Sequence, residues 1–272
     1  MKNKNTENNK RLDVFLTENF NLGRQKAAEL IKLKAVNVNG KTVLKAGHKL
    51  KADDEVEILY NPFKFVSRGG LKLEKAIKVF NLNINGLVCA DIGASTGGFC
   101  DCMLQNNAKK VYAIDVGTNQ LHKSLIEYSK VVNIEKTNFR YFDVNSIEKV
   151  DFAATDVSFI SLKYILNNMH LILKQNAAAV VLVKPQFEAG KENIGKNGTV
   201  KKREVHKQVL KNAITFAEKA LFTVKGLCFS PIKGPNGNIE YLILLKNSEN
   251  EGFNFNINVS KTVEEAFENL KD

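Results

Sequence analysis

The sequence predicts an α/β protein in which a mostly parallel, doubly wound sheet with a terminal antiparallel strand follows a small α+β module. Three observations carry this. Seven apolar runs from Leu87 onward alternate with amphipathic stretches, the last two are joined only by "KGPNGNI", and the first sixty residues show helical stripes followed by short strands. Runs without polar alternation suit strands buried on both faces, and intervening helices of about 10 to 15 residues suit βα units. The last connection is too short for a helical crossover, so the final pair is expected to run antiparallel.

After the polar leader "MKNKNTENNK", Leu12, Phe15 and Leu16 form one helical stripe and Ala27, Ala28, Leu30 and Ile31 a second. "AVNVNGK" then alternates up to an Asn-Gly turn at Asn39 and Gly40, and "DDEVEILY" reads as another short strand. Pro62 in "NPFKF" marks a linker and biases Asn61 to an extended conformation. The expected division is residues 1–60, a linker at 61–66, and a large domain at 67–272. Its strands are "LVCADIG", "KVYAIDVG", "KVVNIE", "DFAATDVSF", "AAAVVLVKP", "GLCFSPI" and "EYLILLKN". In the tail, Ser260 is the expected N-cap of a helix with Val263, Ala266, Phe267 and Leu270 on one face.

Forty Lys and Arg against 29 Asp and Glu give a formal net charge of +11, which favours nucleic acid as partner and an anionic membrane surface second. No run approaches a membrane span and the N-terminus lacks a signal peptide's apolar middle, so a cytoplasmic protein is expected. Four cysteines in such a chain are expected to be reduced. Cys100 and Cys102 lack the usual zinc spacing and Cys89 sits among apolar neighbours, so these read as packing residues and no metal is expected.

A sheet of this kind binds its ligand at the carboxyl ends of its strands, and the first ends in "DIGASTGG". Gly93 has no partner glycine two residues on, which disfavours a dinucleotide. Phe99 and Cys100 stand where a P-loop needs Lys and Ser or Thr, which disfavours ATP. S-adenosylmethionine (SAM) needs no phosphate clamp. Asp91 suits its ammonium, the amides of Ser95 to Gly98 its carboxylate, and Asp115 its ribose diol. Other nucleotide sites, and glycines that only pack a helix on a strand, stay open on pattern alone.

The motifs "SRGGLKLEKAI", "DIGASTGGFCD", "AIDVGTNQL", "DVSFISL", "VKPQFEAG" and "SPIKGPNGNIEY" occur in the order and spacing of the TlyA family, and the resemblance covers nearly the whole chain. Its members were first called hemolysins and are also described as ribosomal RNA 2′-O-methyltransferases. The resemblance implies a Rossmann-like class I methyltransferase sheet, with SAM as cofactor. It implies contacts from Asp91, Gly93, Ala94, Ser95, Thr96, Gly97, Gly98, Phe99, Asp115, Val116, Asn138 and Asp156. Asn138 stands where related enzymes often have an acid.

The resemblance to FtsJ-like enzymes also implies a tetrad of Lys72, Asp156, Lys184 and Glu240. Lys184 is expected to accept the proton, Asp156 to orient it, and Lys72 with Glu240 to position the target ribose. Lys184 closes the apolar run "AAAVVLV", where a charge costs energy unless used. The segment after "QFEAG", "KENIGKNGTVKKRE", reads as a flexible basic loop at the mouth of the site.

The leader module resembles a small αL-type RNA-binding fold, with Arg24 in the second helix and "VNVNG" as its strand. Lys34 stands where a glycine commonly ends that helix, so a left-handed lysine is expected. From Lys10 to Lys51 ten basic residues face three acids, which supports phosphate contact. Arg11, Arg24, Lys26, Lys32, Lys34, Lys41 and Arg68 are the expected RNA contacts. The leading reading is a monomeric rRNA methyltransferase acting on ribosomal subunits. It modifies a cytidine of large-subunit rRNA and, as the basic leader and helical tail suggest, also one in the small subunit. A membrane-active hemolysin and a catalytically inactive ribosome-assembly factor are the alternatives.

Overall fold

The computed structural model describes residues 2–20, 22–32, 34–59, 64–248 and 257–270. Asn61 and Pro62, on which the expected linker turns, lie outside the described residues. The chain forms two compact units, Met1–Lys64 and Phe65–Asp272. Phe65 and Val66, assigned to the linker by sequence, belong to the larger one. Phe65 is buried against Gly70, where its ring leaves no room for a Cβ, and the Val66 amide donates to Asp101.

The smaller unit runs β1 (Lys2–Lys4), β2 (Lys10–Arg11), α1 (Leu12–Asn19), α2 (Arg24–Lys32), β3 (Val36–Val38), β4 (Lys41–Thr42), β5 (Lys49–Leu50) and β6 (Glu55–Ile58). An antiparallel sheet ordered β1-β6-β3-β4 and a separate β2-β5 pair enclose a core of Leu12, Phe15, Leu16, Ala27, Leu30, Ile31, Val36 and Val56. Asn39 and Gly40 both have positive φ, as a tight hairpin turn requires. The leader is not separate from this unit. Its β1 pairs with β6, and Lys2 lies 2.8 Å from Glu55, so a polar edge strand is held by its ladder and its charges rather than by an apolar face.

Lys34 takes the left-handed conformation, φ +60°, and the Ala35 amide closes the helix on the Leu30 carbonyl. Lys34→Gly is expected to stabilise this unit by about 1 kcal/mol. Slower hydrogen exchange of the α2 amides in the full chain would register it, and unchanged exchange would refute it.

The larger unit contains β7 (Val88–Ile92), β8 (Lys110–Ile114), β9 (Val131–Ile134), β10 (Val150–Thr155), β11 (Leu173–Val183), β12 (Thr223–Phe229) and β13 (Tyr241–Lys246). Their order is β12-β13-β11-β10-β7-β8-β9. All seven apolar runs are strands, and six of them run in one direction, five of these as directly paired parallel neighbours. The antiparallel strand is last in the chain but not at the sheet's edge. β13 is inserted between β11 and β12 and runs against both, with Tyr241 opposite Val183.

Helices cover both faces of the sheet. α3 (Gly69–Val79), α4 (Gly98–Gln105) and α5 (Lys123–Ile126) contribute Leu73, Met103 and Leu125 to one apolar layer. α6 (Leu166–Ile172), α8 (Arg203–Lys219) and α9 (Val259–Asn269) contribute Met169, Leu210 and Val263 to the other. The short α7 (Pro185–Glu188) follows β11 directly. In α9 the N-cap is Asn258, whose side chain accepts from the Lys261 amide; Ser260, the expected cap, lies inside the helix. All four cysteines are free and buried, as expected of packing residues.

Candidate active site

The chain passes from β7 through β8 to β9 and then returns to place β10 on the other side of β7. That reversal opens a crevice at the carboxyl ends of β7 and β10, where open α/β sheets bind ligands. Asp91 ends in this crevice. It is 1% exposed, one oxygen accepts the Cys100 amide at 2.8 Å, and Oδ1 has no hydrogen-bond partner among the described residues. Burial pushes its pKa up to about 8.

Beyond Asp91 the loop turns at Gly93, φ +82°, where a Cβ would stand 3.2 Å from the Asp156 carbonyl. Gly98 serves a close approach. A Cβ there would lie 2.8 Å from the Gly70 nitrogen, so glycine lets the N-termini of α3 and α4 meet. Gly97 packs beneath Leu121 and Leu125, and the linings of the two cavities described below do not include it. The Ser95 amide is also spoken for, donating to Asp115 Oδ2 at 2.8 Å, and the Gly97 amide donates to the Ala94 carbonyl. Among the described residues, the amides of Thr96, Gly98 and Phe99 remain without acceptors.

The four residues of the expected tetrad meet at one point. Lys72, on the buried side of α3, lies 3.2 Å from Asp156 Oδ2 and 2.8 Å from Glu240 Oε2. Lys184, just past β11, lies 2.5 Å from Asp156 Oδ1 as an ion pair without hydrogen-bond alignment, and donates to Ser158 Oγ at 2.8 Å. One carboxylate therefore holds a lysine on each oxygen. Glu240 is fully buried and reaches the cluster because β13 runs against β11. Burial alone would lower the Lys72 pKa, but the Asp156 and Glu240 carboxylates outweigh it and hold it raised.

Two adjoining cavities open here. One, of about 290 Å³, is lined by Lys72, Asp91, Asp156 and Lys184, with Gly93 to Thr96, Gly98 and Phe99. The other, of about 660 Å³, is lined by Asp115, Val116 and Asn138. They share Gly93, Ser95, Asp156 and Ser158. Asp115 is fixed by the Ser95 and Gly117 amides, and Asn138 accepts from the Arg140 amide.

Residues 65–247 match the family model of the FtsJ-like methyltransferases, and residues 10–56 that of the S4 domain. The 16S/23S rRNA (cytidine-2′-O)-methyltransferase TlyA of Mycobacterium tuberculosis is 34% identical over 82% of this chain and 84% of its own length. The chain belongs to the TlyA family of FtsJ-like methyltransferases. Another relative, the Bacillus subtilis protein YqxC, provisionally named an rRNA methyltransferase, is 44% identical over 98% of this chain and 97% of its own. Among solved structures, a Streptococcus thermophilus protein described as a candidate hemolysin superposes with a TM-score of 0.78 at 41% identity, covering 97% of this chain and 98% of that one.

In this TlyA-family methyltransferase several lining residues escape sequence reasoning: Ser67, Ser158, Ile232, Lys233 and Gly234. Gly234 carries a signal in hindsight, because its missing side chain leaves the space that the Glu240 carboxylate fills. The basic loop after α7, expected to be flexible, is tied down at its far end. Asn238 accepts from the Val200 amide and donates to the Gly198 carbonyl, while His206 bonds Val200 and Tyr241. Burial lowers the His206 pKa, so a neutral ring donates Nε2–H to Val200 and accepts from the tyrosine.

Of the expected RNA contacts, Arg24, Lys32, Lys34 and Lys41 are exposed on the S4 unit and Lys26 is half-buried. Arg11 is exposed but forked onto Asp13 by two hydrogen bonds, so its donors are partly committed within the unit. Arg68 belongs to the larger unit, exposed at the mouth of the smaller cavity.

Proposed function

We propose that the protein transfers a methyl group from SAM to the ribose 2′-hydroxyl of a cytidine in ribosomal RNA, in the large subunit and also in the small. The carrying observation is the cluster in which Lys72 and Lys184 share Asp156 while Lys72 also meets the buried Glu240. The S4 match and the activity named for the Mycobacterium relative support RNA as substrate.

The residues present fit SAM. Asp91 offers a buried, unpartnered oxygen to an ammonium, the amides of Thr96, Gly98 and Phe99 suit a carboxylate, and Asp115 and Asn138 suit an adenosine. When bound, SAM supplies a methyl group made electrophilic by its sulfonium. The chain's part is to place the hydroxyl and take its proton. Lys72, kept charged between two carboxylates, positions the ribose, and Lys184, anchored by Asp156 and Ser158, receives the proton.

Ionised Asp91 is the form an ammonium favours, whereas burial keeps its folded pKa near 8. SAM binding at pH 7 is therefore expected to release up to one proton. Calorimetry in buffers of different ionisation enthalpy reads this, and Asp91→Asn should abolish it. The sign also sets stability. With its pKa raised on folding, Asp91 stabilises the ligand-free fold fully below about pH 4, and that contribution is lost as pH rises through about 8.

The deciding experiment incubates the protein with labelled SAM and unmethylated ribosomal subunits, then repeats it with Lys184→Ala. Label confined to cytidine 2′-oxygens of the wild-type reaction is the expected result; none in RNA would end the reading. Membrane lysis is the reading that the name of the Streptococcus structure raises. Among the described residues no helix is long and apolar enough to cross a membrane. Red-cell lysis by purified protein, undiminished in Lys184→Ala, would favour it.

A further inference from the structure

The rim of the larger cavity carries a surface that methyl transfer itself leaves unexplained. Tyr141 is 73% exposed and Tyr164 40%. The Arg140 guanidinium lies 5.2 Å from the first ring and 4.3 Å from the second, and Lys163 Nζ lies 4.7 Å from the second. Clustered exposed rings interleaved with cations, at the edge of a site, mark a binding surface.

The surface is built rather than incidental. In the turn Phe139–Tyr141, Phe139 and Phe142 are buried and stacked 5.3 Å apart, which directs Arg140 and Tyr141 outward. Asn168 donates to the carbonyls of both Phe139 and Arg140, fixing that backbone. The turn Leu162–Tyr164 is fixed too: the half-buried Glu188 accepts from the Leu162 amide and the Ser161 hydroxyl. Two fixed turns thus bring four side chains together, Arg140 and Tyr164 lining the cavity and Tyr141 and Lys163 beside them.

The geometry points to an unpaired RNA nucleotide flanking the target as the occupant, its base stacked on Tyr141 and Tyr164 and its phosphate met by Arg140 and Lys163. This rests on the RNA methyl-transfer reading and extends it. Charge favours nucleic acid over a protein partner. Among the described residues the acids lining this cavity are Asp115 and Asp156, already engaged by amides and by lysines. Stacking suits single strands, because every base has a π face whereas a duplex hides it.

The chain has no Trp and six Tyr, so its tyrosine emission reports on the rings directly. Titrating the full chain with a short single-stranded oligocytidylate should quench that emission, and a duplex of equal length should not. In Tyr141→Phe/Tyr164→Phe the quench should vanish while affinity by filter binding is kept. In Tyr141→Ala/Tyr164→Ala affinity should fall about 10-fold or more. In methyl transfer the Ala variant should raise the KM for ribosomal subunits similarly, with kcat and the KM for SAM unchanged. A raised KM for SAM alone would assign the rim to the cofactor, and unchanged constants throughout would remove its role; either overturns the inference. Were the wild type to methylate no RNA, the functional reading would fail, and the oligocytidylate arm would still decide whether the rim binds single strands. If the Ala variant is misfolded, Arg140→Gln with Lys163→Gln gives the same test through weakened binding and a shallower salt dependence.

Discussion

Asp156→Ala is expected to lower kcat about 10³-fold, because both lysines lose their shared anchor while proton transfer and ribose placement each contribute factors of about 10² or more. Lys72 and Lys184 approach opposite oxygens of this carboxylate at 3.2 and 2.5 Å. Asp156→Asn keeps the shape and loses the charge, so it should fall nearly as far. Single-turnover methyl transfer at saturating SAM measures the chemical step. A loss below about tenfold would show that Asp156 is not the organising group.

Glu240→Ala is expected to destabilise the larger unit by about 3–5 kcal/mol as well as to abolish activity. Glu240 is fully exposed to no solvent at all, and its removal leaves the buried Lys72 with Asp156 as its sole remaining carboxylate among those it contacts. The discriminating comparison is a double-mutant cycle. Lys72→Met combined with Glu240→Ala should cost clearly less than the two single changes added together, since neither charge is then stranded. Strict additivity in denaturant melts would contradict the pairing.

Much of this was legible in the sequence because its signals are local. Apolar runs mark strands wherever both faces of a sheet are covered, and all seven became strands. Lys184 stood out because a charge closing such a run needs a partner, and Asp156 provides it. What escaped detection depends on distant pairing. The strand β1 has no apolar alternation and is defined by β6 more than fifty residues away. The packing of Gly97 beneath Leu121 and Leu125 has no local signal, and Ser158 gained its place only when β10 and β11 came together. Asn258 displaced Ser260 as cap because the helix starts two residues earlier than a Ser260 cap would set it.

The placement of β13 between β11 and β12 also dictates an order of assembly. During synthesis the parallel strands through β11 emerge first, and β12 has no partner in the sheet until β13 arrives between them. Glu240, at the entrance to β13, is the last member of its cluster to leave the ribosome, and the Lys72 ammonium waits for it. A growing chain therefore holds its glycine loop and both lysines before it can use them, and competence arrives in one late step of strand insertion.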